Sequence, residues 1–187
     1  GIHRAYLEAG ANVIETNTFG ANRLVLAEYG LEERTAEINA AAARLAVQER
    51  NRYAATAPHP VFVAGSLGPG TKLPSLGQAD FDTVHTSYNQ QAQGLLKGSV
   101  DLFIIETSQD LLQIKAAILA VKDAMADSCV RLPLIVSVTV ETNGALLVGS
   151  DIHTVGAALL PMDIDILGIN CATGPQEMRP HIQELSR

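Results

Sequence analysis

The sequence predicts a parallel α/β fold on three observations. Short apolar runs alternate with longer helical patterns along the whole chain. Several of those runs end in polar clusters, among them Glu15-Thr16-Asn17-Thr18 and Glu106-Thr107. The run Ile166 to Asn170 leads straight into a thiol, Cys171, before Gly174-Pro175 opens another helix. In a parallel sheet all the carboxyl ends converge on one face, where such folds place their chemistry.

Taken in order, Ile2 to Ala9 reads as a helix end closed by Gly10, and Asn12 to Thr16 as the first strand. Glu32 to Tyr53 is Ala-rich and helical throughout. Val61 to Leu67 is the second strand, and Gly68 to Ala79 a long ordered loop. Phe81 to Lys97 is a helix with Asp80 or Asp82 at its N-cap. Leu102 to Glu106 is the third strand, followed by a helix over Leu111 to Asp127. The Val and Ile content of Leu134 to Val140 favours a fourth strand. A helix over Asp151 to Leu160, a fifth strand over Ile166 to Asn170 and a helix over Gln176 to Ser186 complete the chain. No linker, low-complexity segment or long repeat divides these five units. A closed (β/α)8 barrel typically takes about 250 residues, and an open doubly wound sheet about five or six strands. Topology rules alone leave both open.

Composition narrows the function classes. The 187 residues suit one domain, and 47% hydrophobic with 18% charged content is globular. Trp is absent and aromatics are 4%, so aliphatic residues must fill the core. A formal charge of -7 without any basic run argues against nucleic-acid binding. No apolar stretch approaches the roughly 18 to 20 residues of a membrane span. The first residues lack a signal peptide's apolar core and a starting Met, which fits an excised or incomplete chain. Two distant cysteines do not suggest a disulfide scaffold, and the cytoplasm is the expected compartment.

Thr and Asn at a strand end can simply cap turns. Two near-identical Ile-Glu-Thr endings, at Ile14 and Ile105, are more than a turn needs. A carboxylate ending a buried strand also requires a cationic or hydrogen-bonding partner. Gly68-Pro69-Gly70-Thr71-Lys72 lacks the full spacing of a phosphate-binding P-loop and reads better as a structured site-bordering loop. A lone cysteine is usually a core residue. The place of Cys171 after Asn170 and before Gly174-Pro175 favours a functional thiol instead. Cys129 precedes the fourth strand, at the opposite end of the sheet, roughly 20 Å from Cys171. The two cannot share a zinc or form a disulfide. The histidines show no metal-binding spacing. His3, His85, His153 and His181 fall in helical segments, where solvated side chains are expected, and His59 lies in a Pro-flanked loop.

Ile14 to Gly20 (Ile-Glu-Thr-Asn-Thr-Phe-Gly), Ile105 to Asp110 (Ile-Glu-Thr-Ser-Gln-Asp) and Ile166 to Pro175 together resemble the homocysteine-binding, or homocysteine S-methyltransferase, domain of cobalamin-dependent methionine synthases. The resemblance covers nearly the whole chain. It implies a (β/α)8 TIM barrel of which about five central units, strands two to six, are present, with residues 1–187 as one partial domain. It also implies zinc, held by three cysteines. Cys171 matches one, and the other two would lie beyond residue 187. Glu106 matches the carboxylate that receives the homocysteine ammonium. Thr16, Asn17 and Thr18 match a pocket-lining segment, and Asn170 joins them as a substrate-binding residue.

The implied chemistry is methyl transfer to the homocysteine thiol, forming methionine. A free thiol has a pKa near about 8.5 and is mostly protonated at neutral pH, so zinc is needed to hold it as thiolate. The resemblance makes methylcobalamin the donor, carried with folate- and cobalamin-binding domains of the same parent enzyme. A betaine or S-methylmethionine donor is the alternative. A non-catalytic α/β fragment that needs missing strands is another, and its open sheet edges would favour self-association.

Overall fold

A computed structural model describes residues 1–186; the last residue of the expected domain, Arg187, lies outside the described residues. Five strands form one sheet: β1 Val13–Glu15, β2 Phe62–Leu67, β3 Leu102–Ser108, β4 Leu134–Val138 and β5 Ile166–Ile169. They lie side by side in chain order, and every neighbouring pair is parallel. The main helices are α1 Ile2–Glu8, α2 Arg23–Ala27, α3 Thr35–Ala54, α4 Phe81–Lys97, α5 Leu111–Asp127, α6 Ile152–Leu159 and α7 Pro175–Leu185.

The strand order decides between the two parallel architectures. A doubly wound sheet reverses its strand order part-way and carries helices on both faces. Sequential order with right-handed crossovers puts every helix on one face. Burial agrees. Alternate residues Ile14, Val63, Leu67, Phe103, Ile105, Leu134, Val136 and Val138 are buried in the core. Their neighbours on the other face include Val13, Phe62 and Ile166, which are 45%, 44% and 54% exposed. The chain is therefore an α/β fold of five consecutive βα units, a partial barrel whose inner face is uncovered.

The helical layer is tight. A Cβ at Gly94 of α4 would lie 2.7 Å from the Ala36 carbonyl of α3, so only glycine permits this approach. Asp80 is the N-cap of α4, its side chain accepting the Thr83 N–H at 2.7 Å. On the amino side of the sheet, Asp101 accepts from both the Arg50 guanidinium and the Val63 N–H, fixing where β2 starts.

Several boundaries differ from the sequence expectation. The short helix α2, capped by Asn22, was not expected. A 3₁₀ turn over Glu32–Arg34 precedes α3. Asp151 caps α6 instead of starting it, accepting from Thr154 N–H at 2.8 Å. β1 is shorter than Asn12 to Thr16. β4 ends at Val138, two residues before the expected Val140, and the Glu141 N–H beyond it turns to the Ala145 carbonyl. β3 runs two residues further than expected, through a register shift against β4 between Ile105 and Ser108. His3, His85 and His181 are half-buried, not solvated. His3 bonds the Glu15 carbonyl at 3.0 Å, and His85 bonds Asp123 at 2.9 Å across α4 and α5.

Candidate active site

Strand alternation sets the site. Counted along the register, Glu15, Ser66, Glu106, Ser137 and Asn170 project from the uncovered face near the carboxyl ends of the five strands. All five strands thus contribute one polar residue to the same concave surface.

At the first strand end, Thr16 and Thr18 are buried and their hydroxyls meet at 2.6 Å. Thr18 donates to the Ser66 carbonyl at 2.7 Å, and the Ser66 N–H donates to the Thr16 hydroxyl at 3.0 Å. Gln91 of α4 donates to the Thr18 carbonyl at 2.8 Å. Both threonines are therefore spent on building the frame around Ser66. Ser66 uses its own hydroxyl to donate to Glu106 at 2.5 Å, which supplies the partner a strand-end carboxylate requires. Asn17 is exposed and lines a cleft of about 870 Å³ at the β1 edge, with His3, Tyr6, Glu15 and Arg52.

Glu15 is exposed as a residue, yet its carboxyl is partly shielded from water and feels that of Glu106 on the next-but-one strand. Loss of hydration first, and then the Glu106 charge, push the Glu15 carboxyl above its ordinary range.

Beyond Glu106 the strand bulges. Thr107 sits at φ 59, a left-handed conformation rare for a β-branched residue. Such strain costs about 1 to 3 kcal/mol and persists only where neighbours impose it. Here the neighbour is Asn170. It accepts the Thr107 N–H at 3.2 Å and donates to the Thr107 hydroxyl at 2.9 Å. It also accepts from the Ser137 hydroxyl at 2.7 Å and donates to the Cys171 Sγ at 3.1 Å.

Cys171 is exposed, which removes the reading of it as a core residue. It and Ala172 both adopt positive φ, 62 and 54, turning the chain sharply into Gly174 and Pro175 at the start of α7. Cys129 is also exposed, in the loop that leads to β4. Among the described residues no group of three or more His, Cys, Asp or Glu could hold a metal ion. Cys171 by itself offers a metal one thiolate, short of a zinc sphere.

The Gly68 to Ala79 loop is pinned over the same end of the sheet. Phe19 lies so close to Gly68 that a Cβ there would fall 2.6 Å from its ring. Tyr88 donates to the Gly68 carbonyl at 3.0 Å and accepts the Gly70 N–H at 3.2 Å. Burial pushes the Tyr88 hydroxyl far above its ordinary range, so it stays a donor. Asp110 and Gln113 tie down Ser75 and Lys72.

A homocysteine S-methyltransferase family model matches residues 1–187. The chain belongs to that family. It is 43% identical over 186 residues to methionine synthase of Mycobacterium leprae, covering 100% of this chain and 15% of that protein. It is also 43% identical over 194 residues to methionine synthase of Mycobacterium tuberculosis, covering 16% of it. The chain thus spans under a fifth of the length of these relatives. Its fold resembles the metallated homocysteine methyltransferase MmuM from Escherichia coli, with TM-score 0.81 and 24% identity over 98% of this chain and 66% of that one. A protein from Burkholderia cenocepacia J2315 shares the fold more loosely, at TM-score 0.55 and 15% identity.

Within this methyltransferase fold the structure brings together Glu106, Asn170 and Cys171, and joins Thr16 and Thr18 to Glu106 through Ser66. Asn17 stands apart from these bonds. Ser66 and Ser137 are additions to the residues singled out from sequence. Period-two alternation counted from Phe62 is the signal that finds Ser66.

Proposed function

We propose that residues 1–187 are one partial homocysteine-binding barrel domain, and that its reaction is methyl transfer onto the thiol of homocysteine to form methionine. The observation that carries this is the adjacency of Glu106 to the Thr107–Asn170–Cys171 bonds on one carboxyl face. Glu106, steadied by Ser66, would receive the substrate ammonium. Cys171 would be one ligand to zinc, whose chemistry is to hold the substrate thiol as thiolate. The described residues lack the rest of that sphere, so the chain's own part is to orient the amino-acid end of the substrate and present one sulfur. Thr16, Thr18 and Asn170 frame the pocket, and Asn17 borders it.

Methylcobalamin is the proposed donor, because the 43% identity is to methionine synthases. Those proteins extend far beyond this chain, which supports folate- and cobalamin-binding domains as partners within the parent enzyme. Among the described residues no helix is long and apolar enough to cross a membrane. The cytoplasm remains the proposed compartment, and self-association through the β1 and β5 edges the proposed behaviour of the isolated chain.

In the parent enzyme, Glu106→Gln should weaken homocysteine binding about 10- to 100-fold, the worth of one charge-assisted hydrogen bond. Zinc content should not change. Unaltered affinity in a titration would sink the role of Glu106. Methyl transfer from betaine or S-methylmethionine, with none from methylcobalamin, would replace the donor and keep the rest.

A further inference from the structure

Asn170 makes every hydrogen bond its carboxamide can make, and makes all of them to protein. Its two acceptor positions are taken by the Thr107 N–H and the Ser137 hydroxyl. Its two N–H donors go to the Thr107 hydroxyl and the Cys171 sulfur. The orientation of the amide is fixed, because the Thr107 N–H can only donate and must face the oxygen. Backbone bonds add to this: the Asn170 N–H donates to the Val138 carbonyl, and the Asn170 carbonyl accepts from the Thr139 hydroxyl. No capacity remains for a substrate. What the amide does instead is clamp three strand ends at the point where β3 leaves its register.

We propose that Asn170 is a positioning residue that locks the Thr107 bulge and thereby holds Glu106 and Cys171 in one frame. This rests on the reading of the site as a homocysteine site. Two of the four bonds go to Thr107, the residue that takes the strained conformation, and a third to the sulfur that follows Asn170 in the chain. A β-bulge re-aims the side chain beside it, here Glu106. Metal-ligand side chains are commonly oriented by an outer hydrogen bond, and the Asn170 donor to Sγ supplies one. Serine, aspartate or leucine at position 170 could not offer two donors and two acceptors together.

The test compares Asn170→Ala, Asn170→Asp and Glu106→Gln in the full-length enzyme. The readouts are homocysteine KM and kcat, and hydrogen exchange of the Thr107 amide. Asn170→Ala should raise KM about 10-fold and speed Thr107 exchange by a similar factor, since it removes charge-free bonds of ordinary strength at several points. Asn170→Asp keeps both acceptors and should preserve Thr107 protection better than Ala. Adding Thr107→Gly to Asn170→Ala should recover most of the KM loss, because glycine takes a positive φ without help. Faster Thr107 exchange with an unchanged KM would overturn the proposal and leave Asn170 merely structural. So would a KM loss that Thr107→Gly fails to rescue. If Asn170→Ala does not fold, Ser137→Ala removes one anchor of the same carboxamide and should raise KM several-fold; no rise overturns the proposal. An unchanged KM in Glu106→Gln is the separate result that removes the homocysteine reading, and Thr107 exchange in the Asn170 variants then still decides whether the lock exists.

Discussion

Asp110 is where the fold and the site loop depend on one carboxylate. It is fully buried and caps α5, accepting the Leu112 N–H at 2.9 Å and the Gln113 N–H at 3.3 Å. The same side chain reaches into the Gly68 to Ala79 loop, where it accepts the Ser75 hydroxyl at 2.6 Å and the Ser75 N–H at 2.9 Å. A lost N-cap costs about 1 kcal/mol. Each bond to a charged acceptor is worth about 1.5 to 3 kcal/mol, but Ser75 is exposed and its groups regain water, so about 2 kcal/mol for the pair is the sounder figure. Asp110→Ala should therefore destabilise by about 3 kcal/mol, or about 9 °C in Tm for a domain of this size. Circular dichroism on heating reads the first effect. Limited proteolysis reads the second, with new cleavage confined to Gly68 to Ala79. Asp80→Ala is the matched control, an exposed cap with its bond to Thr83 and no loop attached. If the two variants lose the same Tm and the loop stays uncut in both, the reasoning fails.

Two further outcomes follow from the site. The folded pKa of Glu15 lies above its unfolded value, so the folded state binds the extra proton, and the stability this brings is complete below the unfolded carboxylate range and lost as pH rises through the folded value. Glu15→Gln should match the wild type in Tm near about pH 4 and exceed it near about pH 7; an offset constant across that span would exclude the titration of Glu15, raised first by burial and then by Glu106, as its source. The isolated chain, offering Cys171 alone on this face, should retain less than one equivalent of zinc after dialysis. Elemental analysis finding one tightly held zinc per chain in monomeric protein would contradict this.

The strands and long helices were legible because their signals are local. α4 and α5 begin and end where the caps and periodicity put them, and the run of Leu134 onward is a strand for its Val and Ile content. Thr16, Thr18, Glu106, Asn170 and Cys171 could be gathered to one face because parallel strands send all their carboxyl ends the same way. What the sequence could not display is how those residues bond. Nothing local says that Thr107 takes a positive φ, since the cause is Asn170, 63 residues away. Alternation places Ser66 on the inner face, but not its bond, because the partner Glu106 belongs to the next strand. The five-residue α2 escaped notice because one helical turn carries too little periodicity to register.

The two faces of the sheet divide the work. The helix-side residues are apolar and buried, and they hold β1 to β5 together whatever the other face carries. The inner face mixes Val13, Phe62 and Ile166 near the strand starts with Glu15, Ser66, Glu106, Ser137 and Asn170 near the strand ends. An apolar floor beneath a polar rim is the arrangement a barrel interior needs, since side chains fill its lower layers and leave the mouth for chemistry. In that setting the Asn170 bonds gain weight. Their donors and acceptors lie where three strand ends meet, so a change there alters relative placement of β3, β4 and the Cys171 turn without loosening the core. Arg50–Asp101 and the α3–α4 approach lie on the stability side of this division, the amide of Asn170 on the site side, and Asp110 joins the two.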